Sequence, residues 1–141
     1  KTMQKALIIV NHKNSVNNKF GESIAQFLLH RGLAAELIPI NNFEPRKLEG
    51  AEYLLLSGWK NKSLFSVSQP DSEWVNFVNS LPALNGIKTA IFNTSKLFSG
   101  RMFKRMKKYL NGKTNNVDFE FKSSDGSLSI SDKLTLNEFI G

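Results

Sequence analysis

A polar segment lies between the first apolar run of the chain, Ala6–Val10, and the first helical pattern of apolar residues. It reads Asn11-His12-Lys13-Asn14-Ser15-Val16-Asn17-Asn18 and supplies amide, hydroxyl and ammonium donors. Where a strand ends and a helix begins, free backbone N–H groups and the helix dipole favour an anion such as phosphate. The segment is therefore a candidate phosphate-binding loop, with a plain solvated turn as the alternative.

Two further polar loops follow apolar runs that are typical of buried strands. Ser57–Gln69 continues the run Glu52–Gly58, and Asn93–Gly100 continues the run Ile87–Asn93. Ligands of open parallel sheets bind outside the carboxyl ends of the strands, so these loops and the polar segment should converge. The candidate residues of the two loops are Ser57, Gly58, Trp59, Asn93, Thr94, Ser95 and Phe98. A phosphate-binding loop with one or two aromatic residues suits a phosphorylated planar ligand, although core filling is the alternative for Trp59.

The sequence contains no evident catalytic or metal-binding arrangement. It has two histidines, His12 and His30, and no cysteine. Neither histidine has a neighbouring carboxylate that suggests a dyad or a metal site. Glycine-rich dinucleotide and Walker motifs do not occur. Hydrolase and NTPase functions are therefore unsupported, and we predict no catalytic and no metal-binding residues.

Strand and helix patterns alternate along the chain in the order β, α, β, short α, β, α, β, α, β, α. This alternation predicts an α/β fold in three layers, an open parallel sheet of five strands with helices on both faces. The first strand, Lys5–Val10, is apolar nearly throughout, as expected for burial on both faces. Pro39 cannot donate to a ladder, which places the second strand, Ala34–Ile40, at an edge. The length suits one domain over residues 1–141.

Element boundaries are predicted from apolar spacing and capping residues. The first helix should follow the polar segment, which ends at Asn18. Val117–Lys122 alternates apolar and polar residues, as a half-buried strand does. The last helix is predicted over Leu134–Ile140, with Ser131 or Asp132 as its N-cap.

Positive charge is concentrated in one segment of the chain. The net charge is +7, and seven cations without an intervening acid are Lys96, Arg101, Lys104, Arg105, Lys107, Lys108 and Lys113. Lys104, Arg105, Lys107 and Lys108 form a candidate docking surface for an acidic partner protein, with a solvated helix face as the alternative. No nucleic-acid-binding motif and no apolar run of membrane-spanning length occurs, so we expect neither of those partners.

The chain resembles the flavodoxin-like proteins, which bind flavin mononucleotide (FMN). The resemblance covers nearly the whole chain and rests on element order, loop lengths and the phrases KALIIV, LEGAEYLLLSGW and GIKTAIFN. The phosphate loop of the family usually reads Ser/Thr-x-Thr-Gly-x-Thr, and the matching stretch is His12-Lys13-Asn14-Ser15-Val16-Asn17. Asn14 and Asn17 stand where the family has hydroxyls, and Ser15 stands where it has glycine. The resemblance implies a small stand-alone flavodoxin domain with strand order 2-1-3-4-5.

The resemblance also implies FMN as cofactor and a role for each candidate residue. Asn14, Ser15 and Asn17 would hold the phosphate. Trp59 would lie on one face of the flavin ring and Phe98 on the other. The backbone groups that would contact the polar edge of the ring belong to Ser57, Gly58, Asn93, Thr94 and Ser95.

Three functions are compatible with these features. The first is a cytoplasmic flavoprotein that transfers electrons through FMN. The second is an FMN-dependent reductase of a quinone or a similar acceptor, which would use the same site with one open face. The third is a flavin-free flavodoxin-like domain that binds an acidic partner through its basic helix.

Overall fold

A computed structural model describes residues 3–59, 70–94, 99–114 and 117–141. These residues contain a five-stranded sheet in which every neighbouring pair of strands is parallel. The strands are β1 (Lys5–Val10), β2 (Ala34–Pro39), β3 (Ala51–Gly58), β4 (Lys88–Asn93) and β5 (Val117–Lys122). Their spatial order is β2-β1-β3-β4-β5. The predicted fold class and strand order are therefore confirmed.

Helices cover both faces of the sheet and bury one apolar core on each. They are α1 (Ser15–His30), α2 (Ser72–Asn79), α3 (Ser99–Leu110) and α4 (Ile130–Ile140). Phe20 of α1 and Phe139 of α4 belong to one core, whereas Trp74 of α2 and Met106 of α3 belong to the other. None of the helices in the described part of the chain is long and apolar enough to cross a membrane.

The apolar run of β1 supplies side chains to both cores. Leu7 and Ile9 lie in the core beneath α2 and α3, and Ala6, Ile8 and Val10 lie in the core beneath α1 and α4. Successive side chains of a strand point to opposite faces, so a strand that is covered on both faces must be apolar at every position. This burial explains the continuous apolar run.

Strand β2 lies at one edge of the sheet and pairs only with β1 among the described strands. Pro39 is its last residue and lies opposite Val10 in the register. An edge position tolerates proline because one side of the strand needs no ladder donors. The edge predicted from Pro39 is therefore confirmed.

The polar segment is shorter than predicted, because α1 begins at Ser15 and includes Asn17 and Asn18. The boundary predicted after Asn18 is therefore wrong. Asn14 has an extended backbone, and its side chain accepts a hydrogen bond from the backbone N–H of Asn17. Asparagine is a favoured N-cap residue, so the helix starts directly after it. Loop residues Asn11–Asn14 remain between β1 and α1.

The last helix is longer than predicted and begins at Ile130 rather than at Leu134. Its N-cap is Ser129, not Ser131 or Asp132. Asp132 accepts from the backbone N–H of Ser129 and completes a capping box. Ile130 and Leu134 are exposed and the three residues between them are polar, so the start of α4 buries no apolar face.

Candidate functional site

A cavity of about 680 Å³ opens at the carboxyl edge of the sheet. It lies beside the ends of β1 and β3 and between the N-termini of α1 and α2. Among the described residues, those that line it are Asn11, Lys13, Asn14, Ser15, Trp59, Asp71 and Glu73. Two of the three predicted loops therefore meet, as the parallel topology requires.

Loop residues Asn11–Asn14 are held by their own hydrogen bonds. The backbone N–H of Asn14 donates to Asn11 O at 3.1 Å, and that of Lys13 donates to Asn11 Oδ1 at 3.2 Å. The Asn14 side chain in turn accepts from the Asn17 backbone N–H at 3.0 Å. Its own hydrogen bonds thus organise the loop, and the Asn14 Oδ1 atom is engaged in capping α1.

The first turn of α1 retains donors for an anion. Within the described part of the chain, the backbone N–H groups of Ser15 and Val16 make no hydrogen bond. Lys13 and Ser15 are among the residues that line the cavity, and the first turn of α1 holds no acidic residue. Two amides, a hydroxyl and an ammonium group at a helix N-terminus form a donor set that suits phosphate.

Asn17 is fully buried and does not line the cavity. Its Oδ1 accepts from the Asn11 backbone N–H at 3.0 Å, and its Nδ2 donates to Gly58 O at 3.4 Å. The side chain therefore joins the loop after β1 to the end of β3. Asn17 was predicted to donate to the phosphate, but in the structure its side chain holds two loops of the site together.

The end of β3 forms the support of the site rather than its surface. Ser57 and Gly58 are buried, and Ser57 O accepts from Trp74 Nε1 at 2.7 Å. A Cβ on Gly58 would overlap the side chain of Met106, so α3 packs directly on this glycine. The Ser57 hydroxyl is buried and has no hydrogen-bond partner among the described residues.

Trp59 lies at the cavity as predicted for an aromatic of the second loop. It is half-buried and also packs against the core beneath α2 and α3. Its carbonyl oxygen accepts from the Asp71 backbone N–H at 2.9 Å, which holds the start of α2 beside it. The residue is therefore both a cavity wall and a core contact.

The third loop contributes less to the described site. Asn93 is buried and lies opposite Gly58 in the register of β3 and β4, and Thr94 is half-buried. Neither residue lines the cavity. Ser95 and Phe98 lie outside the described residues, so their predicted contacts stay predictions. His12 is exposed in the loop after β1 and is likewise absent from the lining.

Two acidic residues of the cavity were missed by the sequence analysis. Asp71 is the N-cap of α2 and accepts from the Glu73 backbone N–H at 2.9 Å, and both residues line the cavity opposite the α1 side. The sequence offered one signal for them: Asp71 can cap a helix that follows the loop after β3, and this loop was already a predicted part of the site. The cavity thus has Lys13 and a helix N-terminus on one side and two carboxylates on the other. An anionic group is favoured on the α1 side.

Solved structures with this architecture include several flavodoxins. The two-electron reduced flavodoxin of Megasphaera elsdenii has a TM-score of 0.74 at 17% identity, with 94% of this chain and 96% of that chain covered. A short-chain flavodoxin associated with a non-canonical PDU bacterial microcompartment has a TM-score of 0.72 at 15% identity, covering 97% and 94%. Oxidised flavodoxin 1 from Bacillus cereus has a TM-score of 0.68 at 15% identity, covering 97% and 95%. No protein-family model and no curated protein matches the sequence.

The chain therefore has the flavodoxin-like fold, and the resemblance seen in its sequence is confirmed at the level of the fold. The match extends over nearly the full length of these structures. At such low identities the likeness defines the architecture, and the ligand must be argued from the residues of the cavity.

Proposed function

We propose that this protein binds FMN and acts in electron transfer. The observation that carries the proposal is the cavity in which the N-terminus of α1 faces Trp59, at the carboxyl edge of a flavodoxin-like sheet. The similarity to flavodoxins in oxidised and two-electron reduced states supports a redox function. When bound, FMN supplies the redox chemistry, and the protein binds and orients it.

The cavity fits FMN in size and in its donor set. Its volume of about 680 Å³ lies within the usual range for cofactor sites, roughly 300–1,000 Å³. The phosphate would be held by the Ser15 and Val16 backbone N–H groups, the Ser15 hydroxyl and Lys13. Trp59 would contact the ring system. Asp71 and Glu73 disfavour the phosphate on their side, which assigns it to α1.

Replacing Asn14 by aspartate tests the phosphate position. Asp and Asn are equivalent N-caps, so Asn14→Asp keeps the start of α1 while adding a carboxylate to the cavity. Repulsion of the phosphate dianion should weaken FMN binding by at least about tenfold, equivalent to about 1.4 kcal/mol. Quenching of FMN fluorescence on titration measures the affinity.

Riboflavin and a neighbouring asparagine provide the controls. Riboflavin lacks the phosphate, so its affinity should be nearly the same for the wild type and for Asn14→Asp. Asn18→Asp makes the same change four positions later in α1, outside the cavity lining, and should leave FMN binding within about threefold. Trp59→Ala should weaken both ligands. Equal losses of FMN and riboflavin with Asn14→Asp would contradict a phosphate site on α1.

A second candidate function is a flavin-free domain, favoured by the two carboxylates in the cavity. Failure of the wild-type protein to quench FMN fluorescence would support it over the first. If FMN binds, turnover with a reduced nicotinamide and a quinone would instead support a reductase. Each of the three functions thus has its own observable.

A further inference from the structure

One side of α3 presents four cations to the surface. We call Arg101, Lys104, Arg105 and Lys108 the basic face; their spacing of three, four and seven residues puts them on one side of a helix. The opposite side of α3 is buried through Met102, Phe103, Met106 and Leu110. The charges therefore extend over about 10 Å along a helix that is rigidly packed on the sheet.

Two further cations of the segment, Lys107 and Lys113, are already engaged. Lys107 forms an ion pair with Glu120 of β5. Lys113 donates to Leu81 O at 2.6 Å and to Asn79 O at 3.4 Å, at the end of α2. Glu120 partly offsets the charge of Lys107. We therefore leave Lys107 out of the basic face, although the sequence analysis included it in the candidate docking surface.

Two lysines of the basic face remain available. Lys104 and Lys108 are exposed, and neither forms an ion pair or a hydrogen bond with another described residue. They lie one turn apart. Because no acid of the described chain offsets them, they contribute their full charge to the surface potential.

An exposed aromatic ring borders the basic face. Tyr109 is 40% exposed and lies one turn after Arg105. Its ring packs edge-on against the buried Trp74, with ring centroids 6.1 Å apart. Tyrosine and arginine are enriched at protein–protein interfaces, where a held aromatic ring supplies apolar contact at little entropic cost.

We propose that the basic face, together with Tyr109, is the docking surface for an acidic patch of a partner protein. Charge complementarity supplies the attraction, and the net charge of +7 adds long-range steering toward an acidic partner. Nucleic acid is the less suitable occupant. The sequence carries no nucleic-acid-binding motif, and α3 packs beside α2 in the same layer instead of standing alone as a recognition helix.

This surface lies on the outer side of the helix that supports the candidate site. Met106 of α3 packs on Gly58, directly beneath the cavity wall at Trp59. A partner on the basic face is therefore separated from Gly58 by about the thickness of one helix, roughly 10 Å. The docking surface stands on charge and exposure alone and does not require FMN.

Charge reversal on α3 tests the proposal, with fluorescently labelled poly-L-glutamate as the probe. Lys104→Glu and Lys108→Glu should each slow association, and the double variant should slow it about tenfold at low ionic strength. Lys133→Glu is the matched control, since Lys133 is an exposed helical lysine of α4 and the net charge changes equally. Lys108→Gln serves as a second variant, because glutamate is unfavourable in the last turn of a helix.

Each outcome of this experiment decides the proposal. Slower association and a flatter salt dependence for the α3 variants, with Lys133→Glu close to wild type, support it. An equal effect of all three reversals overturns it, because binding then follows net charge alone. If the α3 variants weaken binding of labelled duplex DNA but leave poly-L-glutamate binding unchanged, the surface belongs to nucleic acid and the proposal fails. Protein free of FMN is used, so failure of flavin binding does not affect the result.

Discussion

Asn17 is a buried polar side chain that joins two loops of the candidate site through Asn11 and Gly58. In Asn17→Asp the oxygen that accepts from Asn11 is kept, and the donor to Gly58 O is lost. A buried acceptor is then left facing a carbonyl oxygen, so the free energy of unfolding should fall by about 1–3 kcal/mol at neutral pH. Urea unfolding measures this loss.

The pH dependence of the free energy of unfolding shows whether the buried carboxylate of Asn17→Asp causes the loss of stability. Burial should raise the pKa of the new carboxyl above its unfolded value, about 3.9. A raised carboxyl pKa penalises the folded state once the pH exceeds the unfolded value, and the penalty disappears below it. The deficit should therefore shrink toward pH 4, where a protonated carboxyl donates to Gly58 O again. Asn18→Asp loses an exposed hydrogen bond to Glu22 and places two carboxylates one turn apart, so its loss of stability should be smaller, below about 0.5 kcal/mol.

Gly58 is a residue whose lack of a side chain permits close packing by Met106. Gly58→Ala should lower the free energy of unfolding by about 1–3 kcal/mol, because the new methyl group overlaps the Met106 side chain. In a Met106→Ala background the same change should be nearly neutral. Gly100→Ala is the control, since no contact within 4 Å of its Cβ position is found among the described residues and alanine favours the helix. Thermal unfolding of the wild type and the four variants measures these differences, and equal losses for Gly58→Ala and Gly100→Ala would contradict this packing.

At the scale of elements, α4 depends on a cap, Ser129, that precedes the predicted Ser131 or Asp132 by two or three residues. Ser129 accepts from the Asp132 backbone N–H at 3.0 Å, and Asp132 accepts from the Ser129 backbone N–H at 3.2 Å. Ser129→Ala should cost about 1 kcal/mol of stability, because the cap is lost. Ser131→Ala should change stability by less than about 0.5 kcal/mol. Chemical denaturation distinguishes the two, and a larger effect at Ser131 would contradict the assigned cap.

At the scale of the whole molecule, the strand order predicts how stability is distributed. Strand β3 is central, and Leu54, Leu55 and Leu56 are fully buried, whereas β2 is an edge strand with partly exposed residues. Amides of β1 and β3 should exchange with solvent only through global unfolding, and those of β2 through local opening. Native-state hydrogen exchange measures this difference. Equal protection of β2 and β3 would contradict a single open sheet with β2 at its edge.

The sequence by itself determined the three-layer architecture of this protein, a parallel sheet with helices on both faces. A strand buried on both faces must be apolar throughout, so the runs of β1 and β3 identified a parallel sheet, and Pro39 identified an edge. These are local constraints that each segment carries in its own residues. The starts of α1 and α4 were harder to predict from the sequence, because several polar residues near Asn14 and Ser129 could each serve as the N-cap.

Only the tertiary structure decided what the polar residues at the carboxyl edge do. Asn14 and Asn17 are the same residue type three positions apart, yet one caps a helix at the cavity and the other is buried against Gly58. Asp71 reaches the cavity because β3 ends beside β1, a neighbourhood created by strand pairing across a long separation in sequence. A hydrogen-bond partner supplied by a distant segment leaves no pattern in the local sequence, so burial and pairing of polar groups are settled only when the chain is folded.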